Sequence, residues 1–147
     1  MEYRYKERIP EPLFKLRRLG ASIDIAFMAY KSVFWRLTST TAPLSADKVL
    51  GGAYNRQEAL HASLAQKRER LERLKRQYDE ANLIVGRALD AMEDERYINI
   101  LTNRYISGMK PHESARLLHY SDNWERELHR KALEEFKRLT EERDATN

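Results

Sequence analysis

The side chains best suited to specific recognition lie in one stretch near the carboxyl end. A helix there would present four polar residues, spaced three and four apart, on a single face: Asn123, Arg126, Glu127 and Arg130. An arginine can bridge two acceptors of guanine in the major groove, and an asparagine can bridge adenine. This spacing predicts a face that reads base edges.

Three further basic residues near this face suit the phosphate backbone. They are Lys110, Arg116 and Lys131. Contacts to phosphates fix a protein on the duplex, whereas contacts to base edges give specificity. We therefore expect these three residues to anchor DNA, while Asn123, Arg126 and Arg130 read it.

The sequence lacks the residues that metal sites, disulfides, nucleotide-binding loops and catalytic nucleophiles need. The chain has no cysteine, which excludes thiolate metal sites and disulfides. His112 and His119 are seven residues apart, unlike the zinc-binding HExxH pair, and no phosphate-binding glycine loop is present. No nucleophile motif can be recognised. We expect no metal, no cofactor and no enzymatic activity.

The composition predicts an all-α protein. Only five glycines and four prolines interrupt 147 residues, 34% of which are charged. The longest apolar run, residues 25–30, is far shorter than the roughly 18 residues of a membrane span. The amino terminus has no apolar signal core. We expect a cytoplasmic protein without membrane contact.

A first apolar stripe predicts a helix over residues 12–38. Its places alternate at spacings of three and four: Leu13, Leu16, Gly20, Ile23, Phe27, Tyr30, Phe34 and Leu37. Such spacing is typical of a helix that packs along another helix. Pro10 and Pro12 suit the helix entry, where their missing N–H groups would have no partner.

A second stripe predicts a helix over residues 54–92. Its ten places include one polar residue: Leu60, Leu64, Lys67, Leu71, Leu74, Tyr78, Ala81, Val85, Ala88 and Met92. A polar loop separates the two helices and ends near Gly51 and Gly52. Two striped helices joined by one loop should form a long antiparallel hairpin. Because the longer helix would leave part of its stripe uncovered, we expect a homodimer.

The last part of the chain predicts three short helices. Ser107 and Gly108 end the first, Pro111 opens the second, and Ser121 with Asp122 can cap the third. The tight turn between the last two helices matches the outline of a helix-turn-helix module. Ala115 supplies the small residue that such a crossing needs. We expect a hairpin and oligomerisation region over residues 1–92 and a DNA-binding module over residues 93–147.

The carboxyl-terminal stretch resembles region 4 of sigma-70 factors. More closely, the chain is similar to small phage-encoded regulators of the RinA, ArpU and LtrC kind, over roughly residues 13–139. The matching residues, besides a loop with Ala46-Asp47-Lys48-Val49, are Arg104, Tyr105, Gly108, Glu113, Ala115, Leu118, Ser121, Leu128, His129, Ala132 and Leu133. The resemblance implies control of phage transcription and contact with the host RNA polymerase.

Two positions depart from this pattern. His119 stands where the family usually has glycine in the turn, and Glu125 stands where the third helix usually has valine or isoleucine. A buried carboxylate without a partner is costly. Either the helix rotates to bury Trp124 instead, or Glu125 finds a partner.

The sequence therefore predicts a sequence-specific DNA-binding regulator of phage genes that acts as a dimer. Two alternatives remain open. One is a small terminase-like subunit for DNA packaging. The other is a coiled-coil protein that binds a host factor without DNA. The last 55 residues favour the latter, since their ten basic and twelve acidic residues give a net charge of −2.

Overall fold

The part of the chain that the structure describes is helical and contains no strand. A computed structural model describes residues 9–39 and 52–146. Its helices are α1 (Glu11–Thr38), α2 (Gly52–Ala91), α3 (Glu95–Leu101), α4 (Pro111–Leu118) and α5 (Asp122–Thr146), with a π-helical segment (Thr102–Ile106) that continues α3. The predicted all-α class is confirmed. None of the helices described here has the length and apolarity needed to cross a membrane. The predicted loop, including residues 46–49, lies outside the described residues.

The contacts divide the chain into two compact units. Of the described residues, the first unit comprises 9–21 with 78–146, and the second comprises 22–39 with 52–77. The end of α2 thus belongs to the same unit as α3, α4 and α5. The domain boundary expected between residues 92 and 93 stays a prediction.

Helix α1 begins where its prolines predict. The carbonyl of Pro10 accepts hydrogen bonds from the N–H groups of Leu13 and Phe14, both at 3.1 Å. Pro12 therefore occupies the first turn, where a missing N–H leaves no bond unmade. The observed helix agrees with the predicted range to within one residue.

The predicted stripe on α1 is wrong at two places. Phe27 and Phe34 are 46% and 41% exposed, whereas their neighbours Ala26 and Val33 are buried. Two stripes of identical spacing share Leu16, Ile23, Tyr30 and Leu37 and differ only in the places between them. The larger side chains, Phe27 and Phe34, fit the apolar stripe by spacing. Where two helices pack closely, however, the smaller Ala26 and Val33 are buried instead.

The predicted stripe on α2 is confirmed. None of its ten places is exposed, and its second half is almost completely buried. Burial is deepest at Leu71, Ala81, Val85, Ala88 and Met92. Lys67 is half-buried, as an aliphatic stem on an apolar stripe permits.

The core of the first unit draws on α1, α2, α3, the π-helical segment, α4 and α5. Its least exposed apolar side chains are Leu13, Leu16, Val85, Ile100, Leu101, Tyr105, Ala115, Leu128, Ala132 and Phe136. Arg17 of α1 lies with its guanidinium 5.2 Å from the ring centroid of Tyr105. This contact joins α1 to the π-helical segment.

The π-helical segment buries three consecutive polar side chains. Asn103, Arg104 and Tyr105 are all buried, an arrangement that the narrower turn of an α-helix would not favour. Each bonds to α4 or α5. The Asn103 amide donates to Ser114 Oγ at 3.2 Å, Arg104 Nε donates to Glu125 Oε1 at 2.8 Å, and the Tyr105 hydroxyl lies 2.8 Å from His129 Nε2.

The partner of Glu125 is Arg104. Both side chains are buried, and the guanidinium donates a second bond, from Nη2, to the other carboxylate oxygen. Such paired bonds are the strongest arrangement of these two groups. Trp124 stays 40% exposed. Helix α5 is therefore not rotated to bury Trp124. The ion pair with Arg104 stabilises the Glu125 carboxylate at a position that is otherwise apolar.

Replacing Glu125 with alanine should destabilise the protein by about 3–5 kcal/mol, because it leaves the buried guanidinium of Arg104 without its carboxylate. Chemical unfolding monitored by circular dichroism measures the loss. The double variant R104M/E125M should lose much less, since it removes both charges together. E135A, which breaks an exposed pair with Arg138, is the control and should have little effect. Equal losses for E125A and E135A would contradict this account.

Candidate nucleic-acid interface

Helix α4 begins and ends with defined caps. Pro111 occupies its first position, and Glu113 Oε2 accepts a hydrogen bond from the N–H of Lys110 at 3.2 Å. At the other end, the N–H of Tyr120 donates to the carbonyl of Ala115 at 2.8 Å, and the N–H of His119 donates to the carbonyl of Arg116. These two bonds form a Schellman motif.

His119 takes the left-handed conformation that this motif requires. Its φ is 60° and its ψ is 39°, in the region that glycine adopts most easily. The family resemblance also places glycine there. Histidine fills the same role because it is one of the residues that tolerate this region better than most. The chain can therefore turn within three residues between α4 and α5.

Helix α5 begins with the predicted cap. Ser121 Oγ accepts a hydrogen bond from the N–H of Trp124 at 3.1 Å, and the carbonyl of Ser121 accepts from the N–H of Glu125. The first bond satisfies a donor that the first turn of any helix leaves without an intrahelical partner, and the second is the first backbone bond of the helix itself. The predicted cap is confirmed for Ser121, and Asp122 is the first residue of the helix.

Small side chains lie in α4 where it packs against α5. Ser114 and Ala115 are fully buried, and the hydroxyl of Ser114 bonds to Asn103. The inner side of α5 contributes Leu128, which is also fully buried. The small residues let the two helices approach closely, as the sequence predicted for Ala115.

The predicted base-reading face is open to solvent. Asn123, Arg126 and Arg130 are exposed along α5, and Glu127 between them is half-buried. The predicted phosphate anchors Lys110 and Arg116 are exposed on the N-cap and last turn of α4. Lys131 is half-buried, with its ammonium 5.8 Å from the ring centroid of Trp124.

Arg130 is held between two carboxylates of its own helix. Its guanidinium lies 2.5 Å from Glu127 Oε1 and 2.8 Å from Glu134 Oε1. The hydrogen bond from Arg130 lowers the pKa of Glu127, and the hydrogen bond to Glu127 raises the pKa of Arg130. The positive charge expected at this position is therefore offset locally. Among the described residues, Arg126 forms no such ion pair.

The imidazole of His129 lies on the opposite, buried side of α5. Its ring stacks on Tyr105 with centroids 5.7 Å apart, and Nε2 lies 2.8 Å from the tyrosine hydroxyl. Burial lowers the pKa of His129 to about 3, with smaller contributions from the charges of Arg104 and Arg17. The imidazole is therefore neutral at physiological pH and serves the core.

The buried polar residues that fix α5 were not foreseen as partners. Arg104, Tyr105 and His129 match the family pattern, but nothing in their spacing predicts their bonds. The position of Glu125 predicted a partner, but Arg104 lies 21 positions earlier in the chain, too far for any local spacing rule to indicate it. Within residues 9–39 and 52–146, no three histidine or acidic side chains converge as metal ligands.

Comparison of the chain with protein-family models, with curated proteins and with solved structures finds no match. The resemblance to sigma region 4 and to phage regulators stays a prediction that rests on the residues quoted above.

Lowering the pH from 7 to 4 should reduce stability through His129. The pKa of His129 in the folded protein is about 3, well below the 6.5 of the unfolded chain. Between these two values the unfolded chain binds a proton at His129 and the folded chain does not. The free energy of unfolding should fall by up to about 1.4 kcal/mol per pH unit from this residue. Urea titrations at several pH values measure the slope.

The His129→Gln variant should show a shallower slope, since glutamine can still bond the Tyr105 hydroxyl but does not titrate. His112→Gln, at an exposed position, should keep the wild-type slope. Identical slopes for all three proteins would refute the role given to His129.

Proposed function

We propose that this chain is a sequence-specific DNA-binding regulator of phage gene transcription and that α4, the turn and α5 act as its helix-turn-helix. The observation that carries the proposal is the two-sided character of α5. One side is held in the core by the Arg104–Glu125 pair and Leu128, while the other presents Asn123 and Arg126 to solvent. A recognition helix needs one face that is fixed against the core and an opposite face that is exposed to contact DNA.

In the proposed mechanism the first turns of α5 enter the major groove. Asn123, Arg126 and Arg130 then meet base edges, as the bidentate geometry of amide and guanidinium groups allows. Lys110, Arg116 and Lys131 contact phosphates and set the register of the helix on the duplex.

The carboxylates beside Arg130 add a condition to this mechanism. Arg130 must release both Glu127 and Glu134 to use on a guanine the Nη1 and Nη2 donors that they occupy. Only a ligand that offers two well-placed acceptors replaces both lost bonds. A guanine edge and a backbone phosphate both offer two acceptors, so the two carboxylates weaken either kind of contact until Arg130 is released.

The long helices supply the rest of the proposal. We propose that α1 and α2 form an antiparallel hairpin, supported in each unit by a contact between them. In the first unit, Gly20 faces Tyr78, so closely that a Cβ at this position would lie 3.7 Å from the tyrosine Cε2. In the second, Arg68 lies 3.4 Å from the Tyr30 hydroxyl. A dimer built on these helices would bind paired half-sites, and the resemblance adds contact with the host RNA polymerase.

The double variant R126A/R130A should lose specific DNA binding while keeping its helical circular dichroism spectrum, because both residues are exposed. DNA selected from a phage-genomic pool supplies the probe, and mobility shift measures affinity. The loss should be at least about tenfold, since each bidentate base contact contributes roughly 1–3 kcal/mol. R138A is the matched control, because Arg138 is also exposed and paired with two glutamates of α5. Unchanged affinity of R126A/R130A would refute the reading face.

Glu134→Gln should bind DNA more tightly than the wild type. The substitution keeps the side-chain size, removes a negative charge from the face and frees part of the Arg130 guanidinium. The gain should be largest at low salt, where contacts with the phosphate backbone are strongest. Glu142→Gln, which relieves Arg138 in the same way, is the control. If Glu134→Gln and Glu142→Gln tighten binding equally, the gain comes from the change in net charge alone and not from the release of Arg130.

One observation favours a second candidate, a protein that binds a host factor without DNA. The proposed reading face carries Glu127 and Glu134 as well as Arg126 and Arg130, so its exposed charges nearly cancel. Measuring affinity at two salt concentrations discriminates between the candidates, since phosphate contacts impose a steep salt dependence. Selection from the pool that yields no DNA motif would favour the second candidate.

A further inference from the structure

A row of apolar side chains on α1 faces water. Ile25, Met28 and Trp35 are 67%, 70% and 60% exposed. With the exposed Ser32 they follow the spacing of three and four residues typical of helix pairing. We call these four residues the outer stripe. All four belong to the second unit.

The outer stripe is separate from the buried side of the same helix. At 3.6 residues per turn, its centre lies roughly 150° around the helix from the centre of Ala26, Tyr30, Val33 and Leu37. A globular helix needs only one apolar face. A second face with its own regular spacing indicates a second helix to cover it.

Charged residues along one edge of the outer stripe indicate which helix that is. Asp24 precedes Ile25 and Lys31 precedes Ser32, so the two charges occupy equivalent places seven residues apart. Both side chains are exposed, and Lys31 lies with its ammonium 5.5 Å from the Phe27 ring centroid. One edge therefore carries both signs of charge at a heptad spacing, as a self-complementary surface requires.

We propose that a second copy of the chain docks on the outer stripe with its α1 antiparallel. In antiparallel helix pairs, equivalent edges face each other, so Asp24 of each copy meets Lys31 of the other. The same alignment brings Ile25 of each copy against Met28 of the other. A parallel pair would instead place Lys31 beside Arg36 of the second copy, a repulsive contact. Charge thus favours the antiparallel direction, in the register that sets Ile25 against Met28.

This inference names the surface of the dimer in the proposed function, and it rests on that dimer but not on DNA contact. Its test contains no DNA, and the tests of the reading face leave α1 unchanged. A failure of one can therefore be distinguished from a failure of the other.

The test uses sedimentation of the full chain over a range of concentrations. Wild-type protein should dimerise. D24K and K31D should each weaken the dimer about tenfold, because each turns two attractive pairs into two repulsive ones. An equimolar mixture of D24K and K31D should regain the dimer, since every cross-copy pair is then attractive. Detection of the mixed species by mass tags identifies it as a heterodimer.

Matched controls make the same charge changes elsewhere in the second unit. E69K and K75D alter exposed residues of α2 and should leave dimerisation unchanged. Circular dichroism and thermal unfolding check that all four single variants stay folded. M28E, which places a charge within the outer stripe, should give a monomer.

Several outcomes would overturn the proposal. These are a wild-type chain that stays monomeric, an assembly larger than a dimer, or a dimer indifferent to D24K and K31D. A tighter dimer for K31D would indicate the parallel arrangement, in which the introduced carboxylate would meet Arg36 of the second copy, and would equally overturn it.

Discussion

The bidentate pair between Arg104 and Glu125 holds the carboxyl-terminal helices in place. It joins the π-helical segment to the first turns of α5 in the buried core, where an isolated charge of either sign would be costly. Because both groups must be present and aligned, the pair fixes the rotation of α5 about its axis. That rotation determines that Asn123 and Arg126 face outward and Leu128 inward. The proposed function depends on this orientation.

Apolar spacing predicted the helices because it is a local property. The ranges of α1 and α2 and the ten places on α2 follow from residues three and four apart, and the structure has them there. The same reasoning misplaced Phe27 and Phe34, since two stripes of equal spacing shared half of their places. Spacing alone does not say which residue fits between closely packed helices. Nor does spacing alone distinguish the outer stripe, which faces solvent, from a buried stripe.

The candidate interface was predicted in part. The exposure of Arg126 and Arg130 and the cap at Ser121 followed from helix periodicity and from the chemistry of helix ends. The two carboxylates that hold Arg130 lie three residues before it and four after, so helical spacing could have indicated them. The partner of Glu125 could not be predicted in that way. It depends on a π-helical turn, which changes the phase of every residue after it.

The π-helical turn also limits how this chain can vary. Three adjacent residues of the π-helical segment, Asn103, Arg104 and Tyr105, bond to Ser114, Glu125 and His129 on the two following helices. A change at any of the three removes a hydrogen bond from a buried polar group unless its counterpart changes too. Related sequences should therefore change both members of each of these three pairs together. The solvent-facing residues of α5 can change independently as the target sequence changes.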